Sequence, residues 1–108
     1  MKVRFSAALI EWRGPAPFFW LPLPEEAAED VHEAAAWATY GWGAIPVRAQ
    51  IGATEWETSL LPRDGGYMLP LKVAVRRAES IELGDRVDVV MTIERRHGRA
   101  AGGDGPTT

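Results

Sequence analysis

The sequence of 108 residues contains no cysteine and only two histidines. The absence of cysteine excludes disulfides, thiol catalysis and thiolate metal sites together, and it favours a cytoplasmic location. His32 and His97 have no serine or carboxylate arrangement around them in the sequence that indicates a catalytic triad or a metal site. We therefore predict no catalytic residues, no metal and no cofactor, and the residues favour a binding module over an enzyme.

Long apolar runs and an excess of basic residues are also missing. No stretch approaches the roughly 20 apolar residues that a membrane-spanning helix needs, and the opening MKVRFSAALIEW alternates like a strand and unlike a signal peptide. Twelve basic side chains stand against fifteen acidic ones, for a net charge of -3. This balance disfavours nucleic acid as a partner, because phosphate contacts draw on a basic surface. The glycine-rich phosphate loops GxGxxG and GKS/T and the nucleophile motif GxSxG are absent.

What the sequence does contain is alternation of apolar and polar residues, which is typical of strands. Val3, Phe5 and Ala7 share one face and Arg4 and Ser6 the other, which predicts a strand with one buried side. The same reasoning, with turn residues between the segments, predicts six strands, at residues 2–11, 18–23, 47–51, 54–61, 67–70 and 87–93.

Two helices complete the predicted fold. Pro24 opens the longer one, where a missing N–H costs nothing, and Gly41 ends it; Pro70 leads into a short second helix. Strands of this number with few crossover helices indicate a mainly β protein, a small closed or nearly closed six-stranded β-barrel with one longer and one short α-helix. We expect a single domain over residues 1–94. Residues 95–108 have no apolar periodicity and are predicted to be a disordered C-terminal tail.

Several segments of the sequence resemble those of one small bacterial family, the domain of unknown function 1905. They are GWGAIPVRAQIG (41–52), WETSLLP (56–62), YMLPLKVAVRRAESIELGDRVDVV (67–90) and the opening FSAAL followed by Trp12. The resemblance implies a single β-barrel domain and carries no established activity. Two positions depart from the family pattern: Leu61 stands where phenylalanine is expected, and Ser80 stands where glycine is usual.

Five tryptophans are unusually many for this length. The simple interpretation is that they fill the barrel core and its ends, and the functional one is that one or two line a ligand pocket. Trp42 is the best candidate, because glycines on both sides indicate an exposed loop with an unusual backbone. Trp56 lies on the strand predicted to pair with that of Arg48, so the ring and the guanidinium meet if the register allows.

Basic side chains supply the rest of the predicted site. Lys72 and Arg76 are four residues apart on the short helix and share a face, while Arg48 points either to solvent or into the barrel mouth. Converging bases would bind a carboxylate or a phosphate; the competing interpretation is a solvated surface with salt bridges to glutamates such as Glu57. The predicted ligand-binding residues are Trp42, Arg48, Trp56, Lys72 and Arg76.

A proline, a short helix and the Gly84-Asp85 turn are also typical of swapped-hairpin DNA-binding regulators of the AbrB type. Those regulators need a basic surface, whereas here an acidic helix and five tryptophans precede the turn. We therefore predict a non-catalytic binding module for a small anionic ligand or a protein partner, monomeric or weakly dimeric. The alternatives are a DNA-binding regulator and an enzyme with an unrecognised site.

Overall fold

The structure is a computed structural model that describes residues 1–12, 15, 18–38 and 44–94, without the side chains of 36–38. The predicted disordered tail, residues 95–108, lies outside the described residues. Over the described ranges the protein is mainly β, which confirms the predicted class. Its elements are β1 (Lys2–Ala8), β2 (Ile10–Trp12), β3 (Phe18–Pro22), α1 (Glu25–Ala38), β4 (Ile45–Ile51), β5 (Thr54–Arg63), β6 (Gly66–Leu71), α2 (Val73–Glu79) and β7 (Arg86–Thr92).

The seven strands form one antiparallel sheet in the order β1-β7-β4-β5-β6-β3-β2, curled into a half-barrel. The prediction of six strands in a closed or nearly closed barrel is therefore matched only in part. The first predicted strand divides at Leu9, whose N–H donates to the Asp85 carbonyl and whose carbonyl accepts from Gly84 N–H, both at 2.9 Å. Because these bonds tie Leu9 to the turn before β7, β1 pairs with β7 while β2 pairs with β3.

The hydrophobic core lies between the inner face of the curled sheet and α1. Ala27, Val31 and Ala34 are buried on one side of α1, as the apolar stripe in the sequence predicts. Their small side chains let the helix approach the strands closely. Glu25 and Glu26 occupy the first turn, where carboxylates complement the positive end of the helix dipole.

The short helix α2 ends at Ser80, which adopts a left-handed conformation with φ 54°. The Ile81 N–H closes the turn by donating to the Arg76 carbonyl at 2.9 Å. A residue with a Cβ is strained in this conformation, so glycine is favoured at such a position. This explains why glycine is usual in the family where this chain has Ser80. Within the described ranges, neither helix is long and apolar enough to cross a membrane.

Candidate functional site

The guanidinium of Arg76 lies over an aromatic ring at the α2 end of the half-barrel. Its guanidinium carbon is 3.7 Å from the centroid of the Phe19 ring. The Arg76 side chain is half-buried, and its Nε is buried with no hydrogen-bond partner among the described residues. The described part of the chain also places no carboxylate in ion-pair contact with Arg76. This cation is therefore held in place by stacking and is without a counter-ion in the described structure.

Two further basic residues lie near Arg76 in the sequence: Lys72, the N-cap of α2, and Arg77, in its last turn. Lys72 is the residue immediately before α2, and its carbonyl accepts the Arg76 N–H at 3.1 Å. Both flanking side chains are exposed. The three bases give α2 a positive surface, although the chain as a whole carries a net charge of -3. We call Lys72, Arg76 and Arg77, with Phe19 beneath, the α2 basic surface.

The structure places Arg48 away from this surface, on the outer face of β4. It lies opposite Glu57 in the β4–β5 register, with Arg48 Nη2 3.5 Å from Glu57 Oε2 and Nη1 4.0 Å from Glu94 Oε2. The Arg48 side chain is 51% exposed and that of Glu57 78% exposed. Arg48 is therefore a solvated and paired surface residue, in line with the competing interpretation of the sequence.

Trp56 does not meet Arg48, because the register of β4 and β5 pairs Trp56 with Ala49. Neighbouring positions along a strand point to opposite faces, so Trp56 enters the core while Arg48 points outward. The Trp56 indole Nε1 is buried and has no acceptor among the described residues. Trp42 lies outside the described residues. Of the five predicted site residues, Lys72 and Arg76 are the pair that the structure brings together.

A second polar cluster joins α1 to the β5–β6 hairpin. His32 Nε2 lies 3.1 Å from the Gly65 carbonyl oxygen, and the Tyr67 hydroxyl lies 3.4 Å from His32 Nδ1. Since a carbonyl can only accept, His32 Nε2 donates to the Gly65 oxygen, and Nδ1 lies within hydrogen-bond distance of the Tyr67 hydroxyl. Burial raises the pKa of Tyr67 above its ordinary value, which keeps that hydroxyl protonated. Both ring nitrogens are engaged, so His32 acts as an anchor between helix and hairpin.

A third cluster stacks an arginine between two tryptophans on the outer face of the sheet. The guanidinium carbon of Arg63 is 4.8 Å from the Trp12 ring centroid and 5.1 Å from that of Trp20. Arg63 also lies 3.4 Å from the Asp64 carboxylate, Nε to Oδ2. Trp20 is 6% exposed, yet it lies outside the main core cluster, because it points to the other side of the sheet.

Sequence reasoning missed Phe19, Arg63 and the contact of Arg63 with both Trp12 and Trp20. The alternation of FFWLP does place residues 19 and 20 on opposite faces, but nothing local indicates which distant side chain each ring meets. Within the described ranges no group of three or more His, Asp or Glu side chains is arranged to hold a metal ion.

The sequence matches a known family over residues 5–91, from the middle of β1 almost to the end of β7. That family is described as Domain of unknown function (DUF1905). The chain belongs to the DUF1905 family. The match confirms the resemblance carried by the β4, β5 and α2 phrases, and it includes α2 and all the strands that position the three clusters. A search of the curated proteins found no match.

Proposed function

We propose that this DUF1905 protein is a non-catalytic binding module that takes a small anionic ligand on the α2 basic surface. The observation that carries the proposal is the state of Arg76: stacked on Phe19, half-buried, and without a carboxylate partner among the described residues. A cytoplasmic location, which the lack of cysteine favours, and a bacterial source, which the family resemblance implies, would bring the protein together with phosphorylated and carboxylated metabolites.

Stacking on Phe19 supports this function because it orients the guanidinium before a ligand arrives. A planar guanidinium held by a ring presents its free N–H edge in a fixed direction, which suits bidentate contact with a carboxylate or a phosphate. Less side-chain freedom is then lost on binding. An unsatisfied buried Nε–H also gains from an added acceptor, since a buried donor without a partner is destabilising by about 1–3 kcal/mol.

The contrast with Arg48 supports the choice of Arg76 as the central contact. Arg48 is exposed and already lies within ion-pair distance of two carboxylates, those of Glu57 and Glu94. An anion would have to displace these groups and compete with water. Arg76 has neither competitor within the described residues, and Lys72 one turn earlier adds a second positive charge.

The test is an NMR titration of the isotopically labelled full chain with inorganic phosphate and with succinate, at matched ionic strength against sodium chloride. We expect saturable shifts of the Arg76 Nε–H and of the α2 amides. Arg76→Ala should abolish these shifts. Arg76→Lys should weaken binding, because lysine has no planar guanidinium to stack on Phe19 and contact the anion with two N–H groups. Lys72→Ala should weaken binding less. The matched control is Arg48→Ala, which should bind as the wild type does.

Two results would contradict the proposal: no saturable shift of α2 with either probe, or unchanged binding in Arg76→Ala. Short duplex DNA is a useful third probe, because retardation that weakens steeply with salt would favour the DNA-binding alternative instead.

A further inference from the structure

Glu79 is the one acidic residue of α2, and its carboxylate is held away from Arg76. The two residues are three apart on the helix, a spacing at which an arginine and a glutamate are neighbours on the helix surface. The Glu79 side chain is instead directed to the start of β5, where Thr54 Oγ1 lies 2.5 Å from Glu79 Oε2. Since a carboxylate can only accept, the Thr54 hydroxyl is the donor.

The turn between β4 and β5 leaves room for this carboxylate. Gly52 has a φ of 58°, and a Cβ at this position would overlap Glu79 Oε1. The Gln50 side-chain amide donates to the Gly52 carbonyl at 3.0 Å, which helps to fix the turn. Thr54 and Glu79 are both half-buried, and a hydrogen bond to a charged acceptor is stronger than one between neutral groups. Glu79 is therefore received by a hydroxyl and by a turn that has no side chain in its way.

The position of Glu79 matters for Arg76 because a carboxylate on the same helix competes with any anion in solution. A group attached to the chain acts at a high effective concentration. If Glu79 turned back along α2, it would occupy the guanidinium edge that a ligand needs. In the part of the chain that the structure describes, neither Arg76 nor Glu79 has an ion-pair partner.

We propose that Thr54 is a positioning residue for the anion site: by holding Glu79 at the β4–β5 turn, it keeps Arg76 open to a ligand. This inference rests on the proposed function and adds to it the means by which the site is kept free. The site has two arrangements. It is open when Glu79 accepts from Thr54, and it is closed when Glu79 pairs with Arg76.

The test is a titration of the full chain with inorganic phosphate, followed by NMR. Thr54→Val removes the hydroxyl and keeps a β-branched side chain in the strand. We expect its affinity for phosphate to fall about twofold to fivefold, the effect of a competing ion pair at a partly exposed position. Thr54→Ser keeps the donor and should bind as the wild type does. The double variant Thr54→Val/Glu79→Gln should recover the wild-type affinity, because the neutral amide no longer competes.

The matched control is Thr58→Val, the same change four residues further along β5, which should leave phosphate binding unchanged. A second route to the closed arrangement leaves Thr54 in place. Asparagine tolerates positive φ, so Gly52→Asn should preserve the turn while its Cβ displaces the Glu79 carboxylate. It should lower the affinity as Thr54→Val does, and it carries the test if Thr54→Val does not fold.

A readout without ligand separates competition from a merely structural effect. In the absence of added anion, the Arg76 Nε–H resonance should move in Thr54→Val and return towards its wild-type position in the double variant with Glu79→Gln. A structural role for Thr54 would leave the resonance displaced in both variants.

The outcomes distinguish this inference from the proposed function. If the wild type binds phosphate and Thr54→Val binds it equally well, the inference is wrong and the proposed function stands. A loss of affinity in Thr54→Val that Glu79→Gln does not reverse also overturns the inference, because the hydroxyl would then only stabilise α2. If the wild type shows no saturable binding, the proposed function fails and the inference fails with it.

Discussion

The two halves of the outer sheet face differ in chemistry although they cover the same core. Across β1, β7, β4 and early β5 the outward residues are mostly polar; Arg48 lies within ion-pair distance of Glu57, and Asp88 accepts a hydrogen bond from the Ser6 hydroxyl. We call these positions the polar half. On β2, β3, β6 and late β5, which we call the apolar half, the outward residues are mostly aromatic or aliphatic. Arg63 is the exception: it lies over the rings of Trp12 and Trp20 and within ion-pair distance of Asp64.

The inner face beneath both halves follows a single rule. Alternate residues such as Val47, Ala49 and Leu69 are buried in the core cluster whether the residues between them are polar or apolar. A strand whose outward side chains are polar can face water. A strand whose outward side chains are apolar needs other side chains of the same protein, or a partner, to cover them. In the apolar half part of that cover comes from the chain itself, since Arg63 lies over the Trp20 ring and Trp20 is 6% exposed.

The largest difference between the halves should appear on removal of Trp20. Trp20→Ala deletes a buried ring, and we expect the free energy of unfolding to fall by about 3 kcal/mol. In the polar half, Thr92→Ala should change it by less than about 0.5 kcal/mol. Urea denaturation measures both. Trp20→Phe should lose much less than Trp20→Ala, because it keeps a ring and removes an indole N–H that has no acceptor among the described residues; equal losses would contradict this account.

Removal of Arg63 should have an intermediate effect. Arg63→Ala loses two guanidinium–indole contacts, each worth about 0.5–1 kcal/mol at an exposed site, and it uncovers Trp20. We expect a loss near 1 kcal/mol with a shift in tryptophan fluorescence. Arg4→Ala, on the polar half, is the control and should alter neither quantity. If both variants behave alike, the stack contributes nothing to the stability of this face.

Alkaline pH should destabilise the hairpin that carries part of the apolar half. Burial raises the pKa of Tyr67 on β6, so the folded state holds that proton more tightly than the unfolded state does. The stabilisation is present below the unfolded value of about 10 and is lost as pH rises through the folded value. Thermal unfolding between neutral and alkaline pH should decline less steeply in Tyr67→Phe than in the wild type; parallel curves would assign the decline to other groups.

The smallest effect is expected for the ion pair of the polar half. A double-mutant cycle of Arg48→Ala and Glu57→Ala should give a coupling of about 0.5 kcal/mol or less, because both side chains are exposed. The coupling should shrink as salt is added, since exposed charges are screened. A cycle of Arg63→Ala and Trp12→Ala should keep most of its coupling in salt, which separates the two halves by mechanism.

Much of the fold could be predicted because its signals are local. The alternation around Phe5 follows from the two-residue repeat of a strand, and the alanine stripe of α1 follows from the helical repeat. The Asp64-Gly65 turn also has a local cause, because both residues adopt positive φ, which glycine and aspartate tolerate well. The strand count was one short, because the division at Leu9 depends on bonds to the distant Gly84 and Asp85.

The candidate site could be predicted only in part. Lys72 and Arg76 share a surface because their spacing is one helical turn, a property of the sequence alone. Contact between Arg48 and Trp56 was expected only if the register allowed it, and the β4–β5 register does not: it sets Arg48 opposite Glu57 and turns Trp56 into the core. A register shift of one residue would have reversed that outcome.

The sequence by itself determined most of the strands and both helices, where the chain turns, and which face is buried in the strands that alternate apolar and polar residues. Tertiary structure alone decided that Arg76 lies on Phe19 and that Arg63 lies between Trp12 and Trp20. The physical reason is the separation in sequence over which each effect acts. Periodicity and turn preferences act over a few neighbouring residues, whereas these contacts join residues that are distant in sequence and become neighbours only when the whole sheet has curled.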